Sequence, residues 1–329
     1  MKDEKFKTFL NNNFDKAKIE NIEQEASKRE YYRILANDKS YILLDSRKEK
    51  KQFLDFLKIN NIIKNINISI PKIYNYDLDN YFMILEDFGK NRYDQIIYKS
   101  KYTSDLFKSA IDSLIIFKNS LDTNKIKDFP IYDFKFFKNE LSEFIDWYVP
   151  FIIKKKLDQR IKDTFYDIWK KKYDEIEIDS NNFMHRDFFS NNLFYLPERK
   201  KHLNCGIIDY QGAFKGDPAL DIVSLFEDSR RIIQNTNKTE MINYYLRETN
   251  QKNISDKFFI KLDFLGASRQ TRLLGRWVKL MKDNHSNQYL KYINSTWYWL
   301  EKNLKNNFLC EIRKLYEDLI PINKRKYEN

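Results

Sequence analysis

Apolar residues recur along this chain in two rhythms, alternation near the start and three-and-four spacing through most of the rest. In residues 29–35, REYYRIL, and 40–45, SYILLD, aromatic and branched residues alternate with polar ones around ANDK, which predicts two strands and a turn. Residues 47–65 set Phe53, Phe56, Leu57, Asn60 and Ile63 at helical spacing, which predicts a helix. A strand over IPKIYNYD, a turn at Asp79–Asn80 and a very apolar strand YFMIL are expected next. They lead to EDFG, where Gly89 relaxes the backbone at a natural joint. From Tyr93 to about Tyr173 the spacing is helical, with one helix over 102–120 and two over 136–176 broken near Pro150. NLFYL (192–196) and CGIIDY (205–210) predict a short hairpin, and helices are expected over 217–234, 239–249, 255–284 and 288–306. The expected class is α+β, with a small mixed N-terminal lobe, 1–88, and a larger mostly helical C-terminal lobe, 89–329.

Composition narrows the function. A chain of 329 residues, 42% hydrophobic and 33% charged, has ample material for a globular core. Two cysteines make no disulfide framework, MKDEKFKTFLNNNF reads as neither signal peptide nor anchor, and no charge-free run could span a membrane. A cytoplasmic protein with no membrane partner is expected. The formal charge of +11 invites a nucleic-acid partner, but lysines interleaved with acids, as in DSRKEKKQF, argue against one. No zinc finger, glycine–lysine phosphate loop or repeat is evident. A small-molecule partner fits better.

HRDFFSNN (185–192) and GIIDY (206–210) concentrate the chemistry. Singly, Asp187 and Asn192 could cap turns, and His185 could be a satisfied core histidine. Together they read differently. The predicted hairpin returns Asp209, at the carboxyl end of an apolar strand, towards Asn192. An amide oxygen and a carboxylate are hard ligands that suit Mg²⁺ with phosphates completing its shell. Asp187, earlier on the loop, would take a proton from an attacking hydroxyl, and His185 would brace the loop. One base plus an amide and an acid on a metal is the division of labour of phosphoryl transfer.

HRDFFSNN with IIDY resembles the catalytic loop and metal segment of the protein-kinase-like superfamily. The continuation QGAFKGDPALDIVSLFEDS is similar to the aminoglycoside phosphotransferase family. Within it the chain most resembles the kinases that act on N-acetylmuramate and N-acetylglucosamine at the anomeric hydroxyl. ASKREYYRI, YILLD, IPKIYNYD, ILEDFG and SRQTRLLGRWVKL extend the likeness over about residues 20 to 300. The resemblance implies a two-lobed protein-kinase-like fold, ATP and Mg²⁺. It implies Asp187 as base, Asn192 and Asp209 as metal ligands, and Glu86, Asp87 and Phe88 with Gly89 as the adenine hinge. It also implies Asp221 as a buried acid that braces the loop; the alternative is a simple helix-terminal carboxylate. Ser27, Arg29 and Arg33 fall where a nucleotide-covering hairpin belongs, and Arg29 and Arg33 share a strand face with Tyr31.

The chain departs from the protein-kinase pattern at Asp45, near where those enzymes carry a phosphate-pairing lysine. Arg29, Arg33 or Lys48 would then supply positive charge. For the acceptor, Ser190, Asn191, Asp228, Arg230, Arg269 and Arg272 are candidates, with Glu227 and Gln270 nearby. A basic group suits the lactyl carboxylate of N-acetylmuramate, whereas an aminoglycoside pocket should be acidic. The expected activity is ATP-dependent phosphorylation of an amino sugar in cell-wall sugar recycling. The alternatives are another kinase of the aminoglycoside or choline type, or an inactive nucleotide-binding regulator.

Overall fold

A computed structural model describes residues 3–22, 28–97, 103–233, 237–251, 253 and 255–327. The chain divides into two compact units, Met1–Ile116 with Ser190–Gly212, and Phe117–Phe189 with Ala213–Asn329. Residues 89–116 and 190–212 therefore group with the N-terminal sheet.

In the first unit, β1 (Lys18–Ile22), β2 (Glu30–Ala36), β3 (Lys39–Asp45), β4 (Ile73–Asp77) and β5 (Phe82–Glu86) form a five-stranded sheet ordered β1-β2-β3-β5-β4. Every neighbouring pair is antiparallel. The ANDK turn forms as expected, and Asn37 and Asp38 both take positive φ (51° and 58°), the backbone of a tight hairpin turn that these residue types tolerate. Ahead of the sheet, α1 (Glu4–Asn13) starts where the Asp3 carboxylate accepts the Phe6 N–H at 3.0 Å. Its Phe6, Phe9 and Leu10, with Phe14, cover Tyr32, Ile34, Leu43, Phe82 and Ile84 of the sheet. Neither α1 nor β1 is among the expected elements. The helix α2 (Lys50–Ile63) is, although it buries Ile59 where Leu57 was expected, beside Phe53, Phe56, Asn60 and Ile63. After α3 (Tyr93–Ile96) and α4 (Thr103–Ser120), the expected hairpin appears as β7 (Leu193–Tyr195) and β8 (Cys205–Ile207), with Leu193 opposite Ile207.

The second unit is mainly helical. It contains α5 (Phe134–Glu143), a π-helical turn (Phe144–Tyr148), α6 (Val149–Ile153) and α7 (Gln159–Glu175). The break expected near Pro150 falls later, at Lys154 (φ 59°). Pro150 instead opens α6, where a missing N–H costs little, right after the widened turn. The strand β6 (Asn182–Met184) pairs with β9 (Phe214–Gly216). Then come α8 (Ala219–Phe226), α9 (Lys238–Glu248), α10 (Ser255–Asp283), α11 (Ile293–Asn303) and α12 (Cys310–Leu319). The helix expected over 217–234 stops at Phe226. There the buried Glu227 side chain turns to Lys238 and Asn303, at 2.6 and 2.7 Å, and Asp228 accepts the Arg230 N–H at 2.9 Å. Those side-chain bonds compete with the next helical turn. No described helix is long and apolar enough to cross a membrane.

Candidate active site

The β7–β8 pairing continues one step, with the Ile208 N–H bonded to the Asn192 carbonyl at 3.0 Å. Asn192 and the Asp209 segment are thus neighbours, as the expected hairpin requires. Asp209 takes φ 66°, a conformation that non-glycine residues adopt at a cost and that tends to mark working sites. Its neighbour Tyr210 is fixed from α2, where the Asn60 side-chain N–H donates to Tyr210 Oη at 2.7 Å and Phe56 packs on the ring at 4.7 Å. The Asp209 side chain is a third exposed. Its Oδ1 accepts from Arg29 Nη2 at 2.8 Å and from Gln211 Nε2 at 2.5 Å. Arg29 also faces Glu49, Nε to Oε2, at 3.4 Å.

This donor set fits Mg²⁺. Asn192 and Asp209 supply hard oxygens from adjoining backbone, and an ion held by one or two protein groups keeps room for waters and phosphates. Among the described residues no cluster of three or more His, Cys, Asp or Glu forms an all-protein cage.

Residues 86–89, the expected hinge, are tied down within the same unit. Arg33 donates to both Asp87 oxygens, at 2.5 and 3.0 Å, and to the Gly89 carbonyl at 3.0 Å. The Gly89 N–H returns to Asp87 at 2.8 Å, with Gly89 at φ 79°. Glu86 pairs with Arg199, whose guanidinium lies over the Phe88 ring at 5.3 Å. Phe88 presses so closely on Gly206 that a Cβ there would sit 2.7 Å from its ring. Asp45 is buried beneath Arg47, which donates from Nη2 at 2.6 Å and stacks on Phe82. Lys48 pairs with Glu30 at 2.7 Å on the surface. Ser27 lies outside the described residues.

In the second unit, β6 delivers the loop of Asp187. Asp221, only 1% exposed, accepts the His185 and Arg186 N–H groups on its two oxygens, each at 2.7 Å. Burial pushes its carboxyl up to about 8. His185 is buried edge-on to Phe188 at 5.6 Å, and Phe188 and Phe189 are themselves core residues. Asp187 keeps a third of its side chain exposed. Burial resists its ionisation, but Arg186 and Arg272, then His185 and Arg269, more than offset this and hold the carboxyl below its ordinary range. Arg272 stands 4.0 Å from Asp187.

Glu140 of α5 organises these cations and was not singled out in the sequence. It accepts from Arg186 and Arg272 at 3.0 Å each and from the Tyr132 hydroxyl at 2.5 Å. The available signal was an acid set between the apolar Phe137 and Leu141 of one helix. Arg269, 4% exposed, donates to the Glu227 carbonyl at 3.0 Å. Burial, with Arg272 beside it, lowers its proton affinity to about 10. Arg230 lies over Phe189 and Trp277 at 4.7 and 5.1 Å, and Asp228 is buried. Of the acceptor candidates, then, Arg269 and Arg272 join the Asp187 group. Ser190 and Asn191 form a 3-10 turn with Asn192 in the first unit.

The sequence model of the phosphotransferase enzyme family matches residues 18–252. The N-acetylmuramate/N-acetylglucosamine kinase of Pseudomonas aeruginosa is 24% identical over 286 residues, covering 84% of this chain and 81% of that one. Its namesake from Caulobacter vibrioides is also 24% identical, over 96% of this chain and 95% of its own. The ADP-bound crystal structure of aminoglycoside phosphotransferase APH(2'')-Ib covers 91% of this chain and 97% of its own, with a TM-score of 0.63 and 15% identity. That likeness establishes a kinase-like fold.

Proposed function

Because this chain belongs to the phosphotransferase enzyme family, we propose that it passes the γ-phosphate of ATP to the anomeric hydroxyl of N-acetylmuramate or N-acetylglucosamine, in cell-wall sugar recycling. The observation that carries the reading is the Asp187 carboxyl, held ionised by Arg186 and Arg272 on a loop that Asp221 fixes. An ionised carboxylate on a rigid loop is ready to accept the proton of an attacking hydroxyl.

Asp187 is the general base. Asn192 and Asp209 would hold Mg²⁺, which when bound offsets the negative charge that develops on the transferred phosphoryl group. The 86–89 segment, fixed by Arg33 and Arg199, receives the adenine. Arg186, Arg269 and Arg272 surround Asp187, and with Glu140 meeting Arg186 and Arg272 the cations still outnumber the acids there. That charge favours an acceptor carrying a carboxylate, as N-acetylmuramate does, over a polycationic aminoglycoside.

Replacing Asp187 with Asn keeps the shape and removes the base. We expect kcat to fall by about 10²- to 10⁴-fold, with ATP affinity held within about twofold because the groups proposed to hold the nucleotide are unchanged. Steady-state kinetics together with calorimetric ATP binding measures both. An undiminished kcat would remove Asp187 from the mechanism.

A further inference from the structure

The strand that carries the phosphate-pairing lysine in protein kinases ends in this chain at Asp45, and Asp45 is occupied by Arg47. On the kinase reading above, we infer that Arg29 is the cation that holds the nucleotide's phosphates, and that Glu49 positions it. The phosphate-binding charge has moved from β3 to the residue that precedes β2.

Arg29 is 6% exposed, and a guanidinium so buried needs acceptors to offset its desolvation, a role that carboxylates fill best. Two do, from distant parts of the sequence: Asp209 at 2.8 Å and Glu49 at 3.4 Å. A guanidinium keeps its charge throughout the ordinary pH range. The other basic candidates are committed elsewhere. Arg33 belongs to the hinge through Asp87 and Gly89, and Lys48 meets Glu30 at the surface.

The geometry at Asp209 explains how such a cation could act beside a metal ligand. Arg29 and Gln211 both donate to Oδ1, so among the described residues Oδ2 is the oxygen left to face a bound cation. A phosphate sharing that cation would come within reach of the guanidinium. An arginine suits this place because its planar fork can serve a carboxylate and a phosphate together, where an ammonium is a single point charge. A cleft of about 390 Å³ reaches Arg29 from the β1–β2 side, lined also by Lys28, Glu30, Tyr31 and Lys48. Glu49 stands immediately ahead of α2 and meets the guanidinium at Nε, while Asp209 takes Nη2.

Calorimetric titration of the full chain with ATP, ADP and adenosine in the presence of Mg²⁺ separates phosphate holding from general scaffolding. Arg29→Ala should weaken ATP and ADP by about 10- to 100-fold, the size of a lost charge-assisted hydrogen-bond pair, while adenosine affinity changes by less than about threefold. Glu49→Gln, which keeps size and removes only the positioning charge, should weaken ATP by about 3- to 10-fold and spare adenosine. It decides the matter alone if Arg29→Ala does not fold. ATP affinity within about twofold of the parent chain in the folded variants would overturn the assignment. So would adenosine affinity falling in step with ATP, since Arg29 would then be a structural tie. A parent chain that binds neither ATP nor ADP would overturn the kinase reading with it, an outcome distinct from variants that bind ATP normally.

Discussion

Asp221 joins two demands in one side chain: it must be buried to sit under the loop, and it must accept two backbone N–H groups there. Burial raises its carboxyl from an ordinary 3.8 to about 8. The folded chain thus retains a proton that the unfolded chain releases. The stability this contributes is fully present below about pH 4 and is lost as pH rises through about 8. Asp221→Asn removes the titration and one acceptor, at a cost of about 1–3 kcal/mol for the N–H left unbonded. Urea unfolding of both proteins should show the parent's advantage shrinking between about pH 5 and about pH 8. A difference that stays flat across that range would contradict the burial account. Asp187, Asn192 and Asp209 stood out as candidates because HRDFFSNN and IIDY crowd unusual polar groups among apolar ones. Glu49 and Glu140 did not. Glu49 sits in a charge run, SRKEKK, and meets Arg29 only after the sheet forms; Glu140 meets Arg272 across 132 positions of sequence.

Among the elements, α10 and the end of α5 approach each other more closely than side chains allow. A Cβ on Gly275 would lie 2.0 Å from the Glu143 carbonyl carbon and oxygen. Backbone that tight has no rotamer to yield, so Gly275→Ala should destabilise the protein by about 1–3 kcal/mol or more. This reverses the gain of about 1 kcal/mol that alanine normally brings to a helix interior. Denaturant unfolding at constant m-value measures it, and a stabilised variant would show that the helices can part freely. Periodicity captured α2, α9, α10 and the β7–β8 hairpin because each has its own apolar rhythm. It also contained α1, whose Phe6, Phe9 and Leu10 follow helical spacing, although that helix was not drawn from it. It overran α8, because what ends that helix is Glu227 reaching to Lys238 and Asn303, partners that spacing does not reveal.

For the whole molecule, the basic balance of +11 is partly internal. Arg29, Arg269 and Arg272 are buried against carboxylates and carbonyls, so the charge equips the site as well as the surface. That distribution is what the proposed anionic ligands, a nucleotide and a carboxylate-bearing acceptor, would require. The α+β organisation was readable from the change of rhythm after residue 89, and the matched family span of 18–252 includes residues of both units. The acceptor was the least legible feature, since no motif marks it and its candidates are scattered over the 190–192 turn, the segment between α8 and α9, and α10. The central claim is therefore tested most directly by phosphorus NMR of the products formed from ATP and Mg²⁺ with N-acetylmuramate, N-acetylglucosamine, choline and an aminoglycoside in parallel. The account predicts a sugar phosphate whose resonance is coupled to the anomeric proton, formed from N-acetylmuramate or N-acetylglucosamine in preference to the cationic acceptors. Phosphate on another hydroxyl, or turnover of the aminoglycoside or choline alone, would contradict it.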